Sequence, residues 1–206
     1  MSEQTPARPV RSVEAVDPDQ TGTLVGAGAG PGPDLGPGVG PGFGPALDVD
    51  AYRAVVSRFA TGVTVATTRL DGLDHAMTIN SFTSVSLEPV QVLICVEKES
   101  RFHDALLARG LWTVNVLDER GRAASSWFAT RGRPLQGQLD QFAHGYSHIT
   151  GAAVLEVAMA VLDVQTTAVH DGGDHSIVVG RVLSAWSRPG EATPLIYYRS
   201  RYRRLA

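Results

Sequence analysis

The sequence lacks several features by which whole classes of protein are recognised. Cys95 is its only cysteine among 206 residues, so no intrachain disulfide can form, which is typical of a reducing cytoplasm. The net charge of -3 shows no basic excess, which argues against a dedicated nucleic-acid binder. No apolar run approaches the roughly 18 residues of a membrane span, and no signal-peptide pattern opens the chain. We therefore expect a cytoplasmic protein that contacts neither membrane nor nucleic acid.

Nucleotide-binding and hydrolase signatures are also missing. There is no P-loop and no G-x-S-x-G elbow, so no motif in the sequence supports an NTPase or a serine hydrolase. Residues 26–45 are nearly all Gly, Pro, Ala and Val, but no strand precedes them and their spacing is not that of a dinucleotide loop. Such a segment cannot bury enough apolar area to offset its ordering entropy. We expect residues 1–46 to be a disordered tail and residues 47–206 to be one folded domain.

The rest of the chain carries β-branched runs joined by short turn signals. Hydrophobic residues make up 43% of the chain, enough for a core. Strands are predicted at 63–69, 90–96, 111–117 and 194–198. Three short helices are predicted at 50–60 after Asp48 or Asp50, at 101–109 between Ser100 and Gly110, and after Asp118 to about Phe128. Strands joined mostly by hairpins favour an antiparallel barrel or sandwich over a parallel sheet.

The clearest hairpin is predicted near the C-terminus. Two long strand-like runs, 158–170 and 175–187, flank the tetrapeptide 171–174. A four-residue loop would set His170 opposite His175. Residues 129–151 are polar and irregular, and they are expected to form a loop that carries function or covers a site.

Residues 77–89, MTINSFTSVSLEP, are dense in short hydroxyl and amide side chains. In a regular strand alternate residues share a face. Here the hydroxyl residues would occupy both faces, with Ser81 and Thr83 on one and Ser84 and Ser86 on the other. A bend or bulge with exposed backbone N–H groups suits this pattern and could bind an anion or a ring carbonyl. An edge strand rich in threonine and serine explains the same composition.

A short cationic turn follows the buried run 90–96. Lys98, Ser100 and Arg101 stand at the start of a predicted helix, where free N–H groups and the helix dipole favour a phosphate. The alternative is a solvated turn in which Glu97 and Glu99 pair with the cations.

Nucleophilic and metal sites are weakly supported. Cys95 lies in an apolar strand, where a thiol behaves as a small hydrophobe. No carboxylate pattern completes a site at His144 and His148. The hairpin-end histidines, His170 and His175, could bind a metal with the neighbouring aspartates or could simply end the hairpin. We expect no metal.

Several segments match one family in order and spacing. The sequence resembles the flavin reductase family, the small NAD(P)H:flavin oxidoreductases of two-component monooxygenase systems, over about residues 50–205. The matching segments are 59–68, 77–89, 92–106, 112–117, 173–182 and 194–205. One departure is that the family usually has two prolines where this chain has Pro89 and Val90.

The resemblance implies a mainly β fold, the FMN-binding split barrel. This is a six-stranded antiparallel Greek-key barrel with short flanking helices, usually a homodimer. It implies FAD or FMN, with FAD favoured, NADH or NADPH as hydride donor, and a partner monooxygenase that receives the reduced flavin. The alternative is a non-catalytic flavin- or haem-binding barrel, since one fold hosts many functions.

The resemblance also implies site residues. The flavin is expected to lie along two segments and the strand beside them: Thr61, Gly62, Val63, Thr64, Thr78, Ile79, Asn80, Ser81, Phe82, Ser84, Cys95 and Val96. Its phosphate end is expected near Lys98, Ser100 and Arg101. The nicotinamide site is expected at His175, which is also the candidate catalytic residue, with Tyr198 and Arg199.

Hydride transfer between two rings explains the kind of residue found there. The flavin accepts the hydride directly, so the protein supplies binding and orientation and not an acid or base at the reacting carbon. A site rich in Thr, Ser, Asn and Gly agrees with this. His175 is expected to hold the nicotinamide by stacking or by a hydrogen bond.

Overall fold

The computed structural model describes residues 47–205, and the predicted tail at residues 1–46 lies outside them. The described part is mainly β, as expected, with three α-helices and one 3-10 turn. In chain order the elements are α1 (Val49–Val56), β1 (Thr61–Gly62), β2 (Thr64–Leu70), β3 (Leu73–Ile79), β4 (Thr83–Leu87), β5 (Val90–Glu97), α2 (Arg101–Arg109), β6 (Leu111–Leu117), the 3-10 turn (Glu119–Gly121), α3 (Arg122–Ala129), β7 (His144–Tyr146), β8 (Ala153–Leu155), β9 (Ala158–Gly172), β10 (His175–Ser187), β11 (Ile196–Tyr198) and β12 (Arg201–Arg203).

One antiparallel sheet of seven strands dominates, in the order β3-β2-β6-β9-β10-β5-β4. This is one strand more than the six expected, because residues 80–82 interrupt the strand and β4 then pairs with β5 as a separate strand. Two small sheets, β1-β11-β12 and β7-β8, accompany it.

The two outermost strands of the sheet, β3 and β4, are consecutive in the chain and separated only by residues 80–82. We call these three residues the seam. Ser81 ties the seam to β5, because its Oγ accepts from the Cys95 N–H at 2.9 Å and donates to the Cys95 carbonyl at 3.1 Å. A register shift between Ser84 and Ser86 follows in β4. The chain thus has the bend and the bulge that the hydroxyl pattern suggested, and β4 is also the Ser- and Thr-rich edge strand that was the alternative explanation.

Apolar residues fill both faces of the sheet. The inner cluster includes Trp112, Ile94 and Val164, and α2 contributes Phe102 and Leu106 to it. The outer cluster includes Val65 and Leu117, together with Phe128 from α3 and Leu155 from β8. Because successive strand residues face opposite sides, β2, β3 and β6 contribute residues to both clusters.

The predicted helix boundaries are confirmed for α2 and corrected for the other two helices. Asp48 caps α1 as predicted, but α1 ends at Val56 and not at residue 60. Ser100 and Gly110 bound α2, with Gly110 in the left-handed conformation. Asp118 caps the short 3-10 turn and not α3. Its carboxylate accepts from the Arg120 N–H at 2.8 Å and from the Arg120 side chain, which turns the chain before α3 begins at Arg122.

The long hairpin turns in two residues, not in the predicted four. His175 pairs with Gly172, and His170 pairs with Ile177 and not with His175. The ladder continues through Asp171 because Lys98, from the end of β5, binds the Asp171 carboxylate and the Gly173 carbonyl. The predicted loop 129–151 contains the short strand β7.

The last predicted strand is shorter than expected, and the basic segment after it is ordered. Arg199 and Ser200, with φ of 51° and 57°, form the turn between β11 and β12. Within residues 47–205 we find no helix long and apolar enough to cross a membrane.

A substitution at Gly180 tests how closely the long hairpin packs against the inner cluster. A Cβ there would overlap Val164 Cγ1 and lie 3.0 Å from the Gln165 carbonyl oxygen and from Trp112. We expect Gly180→Ala to lower the free energy of unfolding by about 1–3 kcal/mol through overpacking. Gly145→Ala, with no atom within 4 Å of the new Cβ, is the matched control. Equal melting temperatures for the two variants would contradict this packing.

Candidate functional site

The seam borders a cavity of about 200 Å³, which we call the seam cavity. Its walls carry hydroxyl, amide and phenol groups, and they comprise Val63, Thr78, Asn80, Ser125, Ala129, Tyr197 and Tyr202. Thr78 Oγ1 donates to the Ser125 carbonyl at 2.7 Å, and the Ser125 hydroxyl lies 2.8 Å from the Tyr202 hydroxyl. Beside this cavity, β1 pairs with β11 at Thr61 and Tyr197, and Thr61 Oγ1 is buried without a hydrogen-bond partner among the described residues.

A second cavity of about 230 Å³ shares Ala129 with the first. We call it the arginine cavity, because Arg101, Arg131 and Arg133 line it. The remaining lining residues are Met77, Glu97, Glu99, Ser100, Phe102, Phe128, Ala129, Thr130 and Gly132. Ala129, the last residue of α3, is therefore part of the wall of both cavities.

The charges of the arginine cavity are only partly paired. Arg131 forms an ion pair with Glu97. Within residues 47–205 neither Arg101 nor Arg133 pairs with a carboxylate. Burial, and then the charge of Arg101, hold the pKa of the Arg133 guanidinium below its usual value. The lining holds three arginines against two glutamates, Glu97 and Glu99. Two neighbouring cations that form no ion pair favour an anion between them.

Backbone carbonyls hold Arg133 in place. Its guanidinium donates to the Thr130 carbonyl at 2.8 Å, to Gln138 Oε1 at 3.2 Å and to the Ala76 carbonyl. Arg101 in turn donates to the Arg133 carbonyl. The loop after α3 is therefore fixed to β3 and α2, which keeps its charges at the cavity.

Lys98 does not line either cavity. Its ammonium binds Asp171 and donates to the Gly173 carbonyl at 2.7 Å, and its backbone N–H donates to the Asp174 carbonyl at 3.0 Å. The hydrogen bond from Lys98 is the main reason why the pKa of Asp171 is lowered. The predicted pairing of the turn's cations with Glu97 and Glu99 is wrong for Lys98, whose partner is Asp171.

His175 opens β10 beside β5, where it pairs with Glu97, a residue of the arginine cavity. His175 Nδ1 lies 2.8 Å from Asp174 Oδ1, and this bond lowers the pKa of Asp174. The side chain is 41% exposed. The next residue, Ser176, is buried, and its hydroxyl lies 2.9 Å from His103 Nε2 on α2. The structure thus presents His175 at the end of a hairpin that is fixed to α2 and β5.

The other predicted flavin residues fall into two groups. Thr64, Ile79 and Val96 are buried, and Thr64 Oγ1 donates to the Ile79 carbonyl at 2.7 Å. The rest are at least partly accessible, and they comprise Thr61, Gly62, Ser81, Phe82, Ser84 and Cys95. A Cβ at Gly62 would meet no atom within 4 Å, so the backbone there is open to close approach.

The C-terminal hairpin brings different residues to the site from those predicted. Tyr197 and Tyr202 line the seam cavity, whereas Tyr198 and Arg199 line neither cavity. Arg199 instead donates its backbone N–H to the Ser57 carbonyl at 2.7 Å.

Sequence reasoning also missed Ser125 and the loop 130–133, for which the Arg-Gly-Arg run after a helix end was the available signal. No group of three or more metal-ligating side chains occurs within residues 47–205.

Comparison with known proteins agrees with this architecture. A family described as the flavin reductase like domain matches residues 56–206. The chain is 37% identical over 159 residues to the flavin-dependent monooxygenase reductase subunit HsaB of Rhodococcus jostii (strain RHA1), covering 76% of this chain and 78% of that protein.

Two solved structures are similar along nearly their whole length. The flavin reductase component of a bacterial two-component tryptophan halogenase superposes with a TM-score of 0.72 at 39% identity, covering 77% of this chain and 98% of the other. The NADH:FAD oxidoreductase of Streptomyces globisporus, solved with NAD and FAD fragments, gives 0.73 at 35%, covering 77% and 93%. The predicted split-barrel fold and the predicted family are confirmed, and the chain belongs to the flavin reductase family.

Proposed function

We propose that the protein is an NADH-dependent flavin reductase, which reduces FAD or FMN and supplies the reduced flavin to a partner monooxygenase. Family membership supports this, since similar proteins are named as reductase components of such systems. The observation that carries the proposal is the pair of adjoining cavities, one lined by hydroxyl and amide groups and one by arginines, beside the His175 hairpin.

The donor set fits a flavin. The seam cavity offers the Asn80 amide and the tyrosine hydroxyls to a polar ring, and Thr78 Oγ1 is available there as an acceptor because its proton is donated to the Ser125 carbonyl. Thr61 Oγ1, buried and without a hydrogen-bond partner in residues 47–205, lies beside it. The arginine cavity offers Arg101 and the start of α2 to a phosphate. We propose that the ring edge lies at the seam and the phosphate at the arginines.

The chain contributes binding and orientation in this proposal. A bound flavin supplies the hydride-accepting ring, so no protein acid or base is required at the reacting carbon. Asp174 holds His175 by its Nδ1, which leaves Nε2 to contact a nicotinamide. Lys98 fixes the turn that carries both residues, and Tyr202 forms one wall of the seam cavity. We propose that these contacts hold the two rings in register.

The activity itself is tested by mixing the purified full-length protein with NADH and either flavin. We expect NADH oxidation well above the background rate, measured as the decrease in absorbance at 340 nm. No rate above background with FAD and with FMN would refute the reductase proposal. Flavin binding without oxidation would favour the non-catalytic alternative.

The His175→Ala variant tests the nicotinamide assignment. Removing one hydrogen-bonding or stacking group should lower kcat/KM for NADH about tenfold, while the Kd for flavin stays within twofold of the unmodified protein. His170→Ala is the matched control, since His170 is exposed on the same hairpin and faces Ile177 across it. Equal losses of NADH turnover and flavin affinity would contradict the assignment.

We propose that the protein is a homodimer. The helix α1 has no buried residue, yet Tyr52, Val55, Val56 and Phe59 form an apolar stripe that is 47–75% exposed. On the edge strand β4, Leu87 is 83% exposed. A second copy of the chain is the occupant that would bury these surfaces, because large exposed apolar patches are rare on monomers.

A charge on the apolar face of α1 tests the dimer. We expect Val55→Glu to shift the protein from dimer to monomer in sedimentation at micromolar concentration, because a buried, unpaired carboxylate opposes association. Arg53→Glu places the same group on the polar side of α1 and should leave the dimer intact. A monomeric unmodified protein, or dissociation of both variants alike, would contradict the proposal.

We propose that residues 47–206 form the reductase domain and that residues 1–46 are a separate tail. The family match begins at residue 56 and α1 begins at Val49, which supports a boundary near residue 47. We also propose a cytoplasmic location, on the strength of the single cysteine, Cys95.

A further inference from the structure

A buried carboxylate lies far from the proposed reductase site. Asp163, on β9, is only 4% exposed. Its Oδ1 accepts hydrogen bonds from Thr113 Oγ1 at 2.8 Å and from Thr150 Oγ1 at 3.3 Å. No lysine, arginine or histidine within residues 47–205 forms an ion pair with it. Neutral hydroxyls stabilise a buried carboxylate less than an opposite charge does.

Asp163 forms part of the wall of a cavity of about 340 Å³, which we call the Asp163 cavity. The cavity lies between the segment 145–149 and the C-terminal half of β10. Ser147 and Ser184 contribute hydroxyls and His148 contributes an imidazole, and Asp163 is the only carboxylate in a lining that holds no lysine or arginine. The polar part of the wall is therefore a single carboxylate with hydroxyl and imidazole groups around it.

Aromatic and aliphatic side chains form the remainder of the wall. Tyr146 and Trp186 are each 43% exposed, and Ile149 is 47% exposed. Aromatic faces attract cations through their quadrupole, more strongly where water is excluded. The Arg69 guanidinium already lies over the Tyr146 ring, 4.6 Å from its centroid, so Trp186 is the ring left for a ligand cation. A carboxylate without an ion pair beside an accessible indole is a combination that recognises an organic cation.

We propose that the Asp163 cavity is a binding site for a small organic cation, an alkylammonium or a guanidinium. The cation donates an N–H to Asp163 Oδ2, which accepts no hydrogen bond within residues 47–205, and its carbon chain packs against Trp186 and Tyr146. Ser184 pairs directly with Asp163 across the strands. Ser184 lies nine positions after His175 in β10, about 30 Å at the usual rise per residue, so the site lies apart from the proposed nicotinamide site.

Binding of two probes, butylguanidinium and butylammonium, to the full-length protein tests this. Calorimetry and tryptophan fluorescence at constant ionic strength should show saturable binding of one cation per chain, and no binding of 1-butanol, the uncharged analogue. Asp163→Asn keeps an acceptor for the two threonines and should weaken binding at least about tenfold. Glu156→Gln removes an exposed carboxylate outside the cavity and should leave the affinity unchanged.

A variant at a second residue, Ser184, tests the proposal even if Asp163→Asn does not fold. Ser184→Lys places an ammonium opposite Asp163, so it should abolish probe binding and raise the melting temperature, whereas Ser184→Gln should do neither. Absence of saturable binding to the unmodified protein would overturn the proposal. So would unchanged affinity in Asp163→Asn or in Ser184→Lys, or binding of 1-butanol as tight as that of the cations.

Discussion

The structure depends on one constraint at the seam, where the chain must pass from one edge of a seven-stranded sheet to the other within residues 80–82. Three residues cannot complete a ladder with both edges. Ser81 resolves this by exchanging two hydrogen bonds with the backbone of Cys95, which holds β3 near β5 without continuous pairing. The seam therefore stays polar and partly open, and the seam cavity lies along it.

The parts around the seam are held by long-range polar contacts. Lys98 joins the end of β5 to the turn of the long hairpin, and Arg133 joins the loop after α3 to β3. Tyr202 reaches α3 through Ser125. Among the described residues, these contacts place two arginines that form no ion pair, the unpartnered Thr61 hydroxyl and His175 around two cavities that share Ala129. That arrangement is the basis for proposing that a phosphorylated ring and a nicotinamide meet there.

Local patterns in the sequence were sufficient for the features that depend on neighbours along the chain. The caps of α2 at Ser100 and Gly110 follow from short-range preferences and were predicted correctly. The hydroxyl pattern of residues 77–89 indicated the bend at the seam as one of two alternatives. The length of the hairpin turn was not, because Lys98 binds Asp171 across 73 positions. The pairing of Ser125 with Tyr202, 77 positions apart, likewise leaves no local signal. The predicted roles of individual flavin-binding residues stay predictions.

A crystal structure of the protein with bound FMN will show whether the seam cavity and the arginine cavity together hold one flavin. We expect the ring against Thr78 and Asn80, the phosphate within hydrogen-bond distance of Arg101, and His175 on the side of the ring open to a nicotinamide. A flavin whose ring lies outside the seam cavity, or whose phosphate lies away from all three arginines, would contradict this expectation.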